Sequence, residues 1–381
     1  TVPAINLRSM TYDLARAIFR SALKINSSSF IFEIAKSEMG YTDQAPLEYV
    51  TVVLAAAVKE NFSGPVFIQG DHFQVNPKKY KESAQKEIEG IKNLIEEAID
   101  AGFYNIDIDS STLVDLSKES LKEQQRLNFE VCAELTTFIR KIEPKGITVS
   151  VGGEIGEVGT KNSTVEDLHA FIQGYRKSLR KNYVGISKIS VQTGTSHGGV
   201  VLPDGTIAQV KLDFDTLKNI SEVARREYGL SGAVQHGAST LPSEAFHKFP
   251  ETETAEVHLA TEFQNMIYES KYFPQDLKTK IYEWLKINAA NEAKVGETEE
   301  QFFYKTRKKA LGAFKKDIMS LSDEVRMNIA KEIEAKFDFL FNQLKINNTR
   351  DLINKYVQTK WVVRRKREEK APVERDTEGA D

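Results

Sequence analysis

The chain has 381 residues, 40% of them hydrophobic and 28% charged, and its 52 Lys and Arg nearly balance 55 Asp and Glu for a formal charge of −3. This excludes a wholly disordered chain, argues against non-specific nucleic-acid binding, and leaves room for one large α/β domain or two smaller ones. The single cysteine, Cys132, rules out an intramolecular disulfide and a Cys-rich zinc module, and no apolar run approaches the ~20 residues that span a bilayer. The chain opens on Thr1, which leaves a removed targeting segment open, and the expected compartment is reducing and cytoplasmic.

Residues 1–272 alternate between short apolar or β-branched runs and longer amphipathic ones. Strands are predicted at Val2–Leu7, Ser29–Ala35, Val66–Asp71, Asn105–Asp109, Thr148–Ile155, Lys188–Gly194, Ala233–Gly237 and Ala255–Ala260. Helices are predicted at Tyr12–Lys24, Pro46–Lys59, Tyr80–Ala101, Lys118–Ile142, Val165–Lys181 and Asp215–Tyr228. Ser163-Thr164-Val165-Glu166 reads as a capping box with Ser163 as N-cap. Such alternation predicts βαβ units on a parallel sheet, and eight strands match the size of a (β/α)8 TIM barrel. A doubly wound open sheet is the other reading, but no Gly-x-Gly-x-x-Gly turn follows the first strand.

Beyond the barrel, residues 273–362 read as a helical C-terminal extension with Ser322 as one N-cap. Residues 363–381 read as a charged, flexible tail in which the block Arg364–Arg367 is solvated rather than bound to nucleic acid or lipid.

Histidine is scarce, with His72, His169, His197, His236, His247 and His258 making up the set. His72, His197 and His236 fall at the ends of the third, sixth and seventh predicted strands, and Glu154 ends the fifth. In a barrel those ends converge on the face where active sites lie, and three imidazoles with one open position suit a catalytic zinc. Any one of these histidines alone reads best as structural; three at strand ends do not. His169 and His247 read as surface residues, while His258 suits the barrel mouth or the barrel wall equally. Asp71 precedes a proposed ligand and could move a proton or orient that ligand. Asp109 could touch substrate or cap the segment that follows it. Gly198 and Gly237 allow close backbone approach and could offer N–H groups to an anion.

Together these residues carry a family pattern. Gly194-Thr195-Ser196-His197-Gly198, then Lys211-Leu212-Asp213-Phe214, with Asp71-His72, Ile108-Asp109-Ser110-Ser111, Glu154-Ile155-Gly156 and His236-Gly237-Ala238-Ser239, resemble the class II, zinc-dependent ketose-bisphosphate aldolases. The resemblance runs from Val2 to about residue 320. It implies that His72, His197 and His236 bind zinc or another divalent transition metal, with Glu154 serving an alternative metal position. It implies that Asp71 handles the hydroxyl of the bond being cleaved. It implies that Gly198, Gly237, Ser239 and Thr261 cradle a phosphate, with a monovalent cation as a further companion. Tyr304–Lys308 resembles a diverged Asp-Pro-Arg-Lys segment, which would send Arg307 to a distal phosphate.

The same pattern implies a lyase of carbohydrate metabolism, such as glycolysis. It would cleave or form a ketose (bis)phosphate such as fructose 1,6-bisphosphate through a metal-stabilised enediolate. It would be a homo-oligomer acting on small sugar phosphates, without nucleic-acid or membrane partners. Three departures are visible, one being that the lysine that often follows the His-Gly pair is replaced near Val201. The loop that carries the family's catalytic glutamate is short here, leaving Glu157 as the candidate, and the family's Asn-x-Asp-Thr segment reads His258-Leu259-Ala260-Thr261, which puts His258 at the substrate. These departures motivate two alternatives: a metal-dependent sugar or ketouronate epimerase on the same scaffold, and a catalytically decayed barrel.

Overall fold

The computed structural model describes residues 1–156, 161–194 and 212–360 and the single positions 202, 362 and 377. All eight predicted strands form: β1 Val2–Asn6, β2 Ile31–Ala35, β3 Phe67–Gln74, β4 Asn105–Asp109, β5 Ser150–Glu154, β6 Lys188–Ser190, β7 Ala233–Gln235 and β8 Glu256–Leu259. They pair in parallel and in chain order, and β8 closes on β1 with Ala4 opposite His258. The fold is a (β/α)8 barrel, as the alternation implied. The strands are covered on both faces, so they read as nearly continuous buried runs rather than as half-polar ones.

Amphipathic helices cross between the strands at Thr11–Lys24, Pro46–Lys59, Ala84–Ala101, Arg126–Ile142, Val165–Ser178 and Phe214–Tyr228. Three sequence readings need correction, the first being that the predicted Lys118–Ile142 helix forms as Leu121–Gln124 and Arg126–Ile142, broken at Gln125. The predicted Tyr80–Ala101 helix is two helices, Pro77–Glu82 and Ala84–Ala101, because Ser83 is extended and its hydroxyl accepts from Lys86 N, so it caps a new start. The capping box before the Val165–Ser178 helix is Thr164 with Asp167, one residue later than predicted. Ser163 Oγ instead accepts from Gln192 N at 2.9 Å, tying this loop to the chain that leaves β6.

After β8 the Thr261–Glu269 helix leads into the helical region, where the helices Gln275–Asn288, Glu299–Thr306, Asp323–Gln343 and Arg350–Tyr356 form. Ser322 caps Asp323–Gln343 as predicted, accepting from Val325 N. This long helix is seated on the barrel. Phe337 packs on Phe263 with ring centroids 4.9 Å apart, and Phe341 stacks on Phe30 at 5.8 Å. Arg20 and Lys24 of the Thr11–Lys24 helix pair with Glu334 across the same seam. Among the described residues no helix is long and apolar enough to cross a membrane.

Phe337 is fully buried between barrel helix and C-terminal helix. Phe337→Ala should therefore cost about 3–5 kcal/mol of stability, as for other large aromatic truncations in a core. Denaturant unfolding measures it, and a loss below about 1 kcal/mol would show that the C-terminal helices do not share the barrel core.

Candidate active site

The site starts from an irregularity in β3. Gly70 pairs with Ile106 and Phe73 with Ile108, so Asp71 and His72 together stand opposite the single β4 residue Asp107. This is a bulge, which re-aims side chains at a sheet's edge or mouth. His72 pays for it in backbone geometry, with φ at 39°, a left-handed value that costs a non-glycine residue about 1–3 kcal/mol. Its side chain is fixed in return. Nδ1–H donates to Asp109 Oδ2 at 3.1 Å, and the same carboxylate accepts from Gln74 Nε2 at 2.6 Å. The other Asp109 oxygen accepts from Ser111 N and Ser111 Oγ. Asp109 thus caps the following turn, one of the two roles read for it, and it also orients His72, a role the sequence did not suggest.

His236, just past β7, meets His72 with ring centroids 4.3 Å apart. Its Nε2 bonds to Ser190 Oγ of β6 at 2.9 Å, which turns Nδ1 toward Asp71. Asp71 Oδ1 then lies 3.8 Å from His72 Nε2 and 3.9 Å from His236 Nδ1. Glu154, at the end of β5, brings Oε2 to 3.6 Å from His72 Nδ1. Asn128 Nδ2 donates to Glu154 O and Ile155 O and so pins the strand end that carries it.

Of the four such donor groups among the described residues two lie at this mouth, Asp71 with His72 and His236, and His72 with Asp109 and Glu154, each set lying within 4.8 Å. Imidazole nitrogens beside carboxylates are a donor set that suits a divalent transition metal. The His–carboxylate bond to Asp109 is the kind of outer contact that fixes a ligating imidazole.

Electrostatics follow from burial. Burial by itself raises a carboxyl, yet His72, His258 and His236 hold Asp71 well below the usual range. For Glu154 burial followed by the Asp109 charge outweighs the His72 imidazole and pushes it up to about 8. Burial lowers the His72 imidazole, but Asp71, Asp109 and Glu154 outweigh it and raise it well above the usual histidine range.

Beneath this mouth lies a charged layer that the sequence reading missed, apart from His258. His258 is buried in the barrel interior rather than in its wall. Its Nδ1 is 3.2 Å from Asp71 Oδ1 and 3.1 Å from Glu33 Oε2, and its Nε2 is 2.7 Å from Glu256 Oε1. Its ring packs edge-on against His236 at 4.1 Å. Lys188 reaches across from β6 to Glu256 Oε1 at 2.5 Å, Gln69 Oε1 at 2.6 Å and Asp107 Oδ2 at 3.1 Å. The available signal was a charged or amide residue inside each of several otherwise apolar strands: Glu33, Gln69, Asp107, Lys188 and Glu256.

Gly237 takes φ of 65°, a turn open to glycine directly after His236. Ser239 Oγ accepts from Glu262 N at the start of the Thr261–Glu269 helix, and Thr261 Oγ1 accepts from Arg8 Nη1 at 3.4 Å. Arg8 is itself buried and paired with Glu38. Arg307 is packed along the same helix, between the Tyr268 and Tyr304 rings, with its guanidinium on Asn265 and Glu269. His169 is partly exposed and bonds to Tyr228. Glu157, His197 and Gly198 lie outside the described residues.

Comparison with known proteins adds the family. The chain resembles in fold a putative fructose-1,6-bisphosphate aldolase from Coccidioides immitis, at 17% identity and TM-score 0.53, covering 92% of this chain and 93% of that one. A fructuronate–tagaturonate epimerase from Cohnella laeviribosi is similar at 11% identity and TM-score 0.64, covering 90% and 81%. A probable tagatose 6-phosphate kinase from Sinorhizobium meliloti is similar at 14% identity and TM-score 0.61, covering 93% and 98%. No curated protein matches the sequence. The family model for class II fructose-bisphosphate aldolase matches residues 1–343, and on that match the chain belongs to the class II fructose-bisphosphate aldolase family.

Proposed function

We propose that the protein is a metal-dependent lyase of the aldolase type, cleaving or forming a ketose or ketose (bis)phosphate. One observation supports this above the rest: Asp71 lies against the two imidazoles of the donor set, buried and held in its ionised form. His72 and His236 would hold the ion, with Glu154 at an alternative position and His197 as the third imidazole. Zinc or a similar divalent ion supplies a Lewis acid for the substrate carbonyl.

The chain's own residues do the rest. Asp71 accepts the proton of the hydroxyl whose carbon–carbon bond breaks, and the bond electrons pass toward the ketone. His258, donating to Asp71 at 3.2 Å, keeps that carboxylate aimed and charged. Asp109 keeps His72 in the tautomer that offers Nε2. Ser239, Thr261 and Gly237 would receive a phosphate beside the first turn of the Thr261–Glu269 helix.

A second reading, a sugar or ketouronate epimerase, has one observation in its favour. His258 stands in the last strand, in a segment that reads His-x-Ala-Thr, directly beside Asp71, so a proton donor and a proton acceptor share one side of the site. Reversible bond cleavage without release of the fragments would then exchange isomers.

Purified protein offered phosphorylated ketoses and unphosphorylated ketouronates decides between them. Aldehyde release supports the lyase, isomer exchange supports the epimerase, and neither in metal-loaded protein sinks both. Stripping metal with a strong chelator should abolish turnover and re-addition should restore it; turnover indifferent to chelation would overturn the metal role. Asp71→Asn should lower kcat by about 10²–10⁴-fold with metal content kept.

Metal uptake should also be linked to protons. In the metal-free protein Glu154, pushed up to about 8, is mostly protonated at pH 7, and His72 is raised in the same direction. Binding an ion through these groups must expel those protons, so affinity rises with pH through neutrality. Calorimetry in buffers of different ionisation enthalpy measures the release, and uptake at pH 7 without it would contradict this ligand assignment.

A further inference from the structure

We propose that Lys188 and Glu256 are positioning residues that act on Asp71 through His258, and this rests on the reading of Asp71 as the base. The route is continuous and crosses the barrel interior. Lys188 Nζ is 2.5 Å from Glu256 Oε1, Glu256 Oε1 is 2.7 Å from His258 Nε2, and His258 Nδ1 is 3.2 Å from Asp71 Oδ1. These residues come from β6, β8 and β3, which are not neighbours in the barrel and meet only inside it.

The geometry leaves the imidazole little choice. With Nε2 committed to Glu256, Nδ1 must face Asp71 and Glu33, and a ring flip would break the bonds at both ends. Glu256 stays in place because Lys188 and Gln69 Nε2, at 2.8 Å, both hold the oxygen that receives His258. Lys188 is centred in turn by Asp107 and Gln69 Oε1.

Space for this amine comes from a deletion of side chain on β5. A Cβ on Gly152 would stand 2.3 Å from Asp107 Oδ1 and 3.1 Å from Lys188 Cε. The ion pair and the glycine therefore belong together. Lys188 contributes no chemistry of its own here. Its two carboxylates raise it well above the usual lysine range despite burial, so it stays a fixed cation and not a nucleophile.

Lys188→Met, Glu256→Gln and the double variant test this. The first readouts are cooperative unfolding and metal stoichiometry. The second is the kcat and KM split on whichever sugar the wild type turns over. The third, independent of activity, is the pair of His258 ring ¹⁵N shifts, assigned with His258→Gln. In folded, metal-loaded protein each single variant should lower kcat about 10–100-fold with KM changed less than about three-fold, the size seen when a partner that orients an active group is lost. The His258 shifts should move in both. The double variant should lose no more than Glu256→Gln alone, because Lys188 acts only through Glu256. Unchanged kcat, additive losses, or loss of metal in place of loss of kcat would overturn the proposal. Should the wild type show no turnover, the functional reading fails, and unmoved His258 shifts in Lys188→Met would separately overturn the network. Should Lys188→Met fail to fold, the Glu256→Gln shifts and kcat decide in the same way.

Discussion

A carboxylate sealed inside a barrel stays charged only where cations reach it, and the rest of this molecule is arranged around meeting that condition for Asp71. His72, His236 and His258 approach it from β3, from the end of β7 and from β8. Each is held by a further acceptor: Asp109 for His72, Ser190 for His236, Glu256 for His258. Removing one partner of a buried, paired charge strands the other, which is why such networks are all or nothing. The barrel provides the enclosure, and the enclosure makes the charges effective, since interactions in a poorly solvated interior are far stronger than in water.

The bulge in β3 is the mechanical part of the same arrangement. A regular strand would send Asp71 and His72 to opposite faces, because side chains alternate. The extra residue and the left-handed backbone at His72 put both side chains at the mouth. That strain is held by the closed sheet on either side and by the bond from His72 to Asp109, so rigidity elsewhere supports an unfavourable conformation at the site.

The lower layer is made of polar and charged side chains. Barrel interiors are usually filled by branched apolar side chains. Here Glu33, Gln69, Asp107, Lys188, Glu256 and His258 occupy that space and bond to one another from opposite sides. The same family framework therefore supports a mouth of imidazoles and carboxylates that could hold an ion and a floor of paired charges. Membership in the family establishes the scaffold and leaves the substrate to be decided by the groups of the site.

Much was legible in the sequence, for physical reasons. Eight apolar runs separated by amphipathic stretches allow few packings other than a closed parallel barrel, so β1 to β8 could be read within a residue or two at most ends. His72, His236, Glu154, Asp71 and Asp109 could be picked out because strand ends in a barrel converge, and the structure does bring those residues together. Local competition between caps was less legible: Ser163 and Thr164 are equally good N-caps by composition, and only the bond from Gln192 N to Ser163 Oγ settles which one serves. By itself the sequence determined the periodicity, hence the fold, and the residue types that could hold an ion. Tertiary structure alone decided that His258 faces inward onto Asp71, that Lys188 meets Glu256 across the barrel, and that Asp71 and His72 share one mouth. Those outcomes depend on contacts between strands far apart in the chain and on a one-residue bulge, and neither leaves a periodic trace in the sequence.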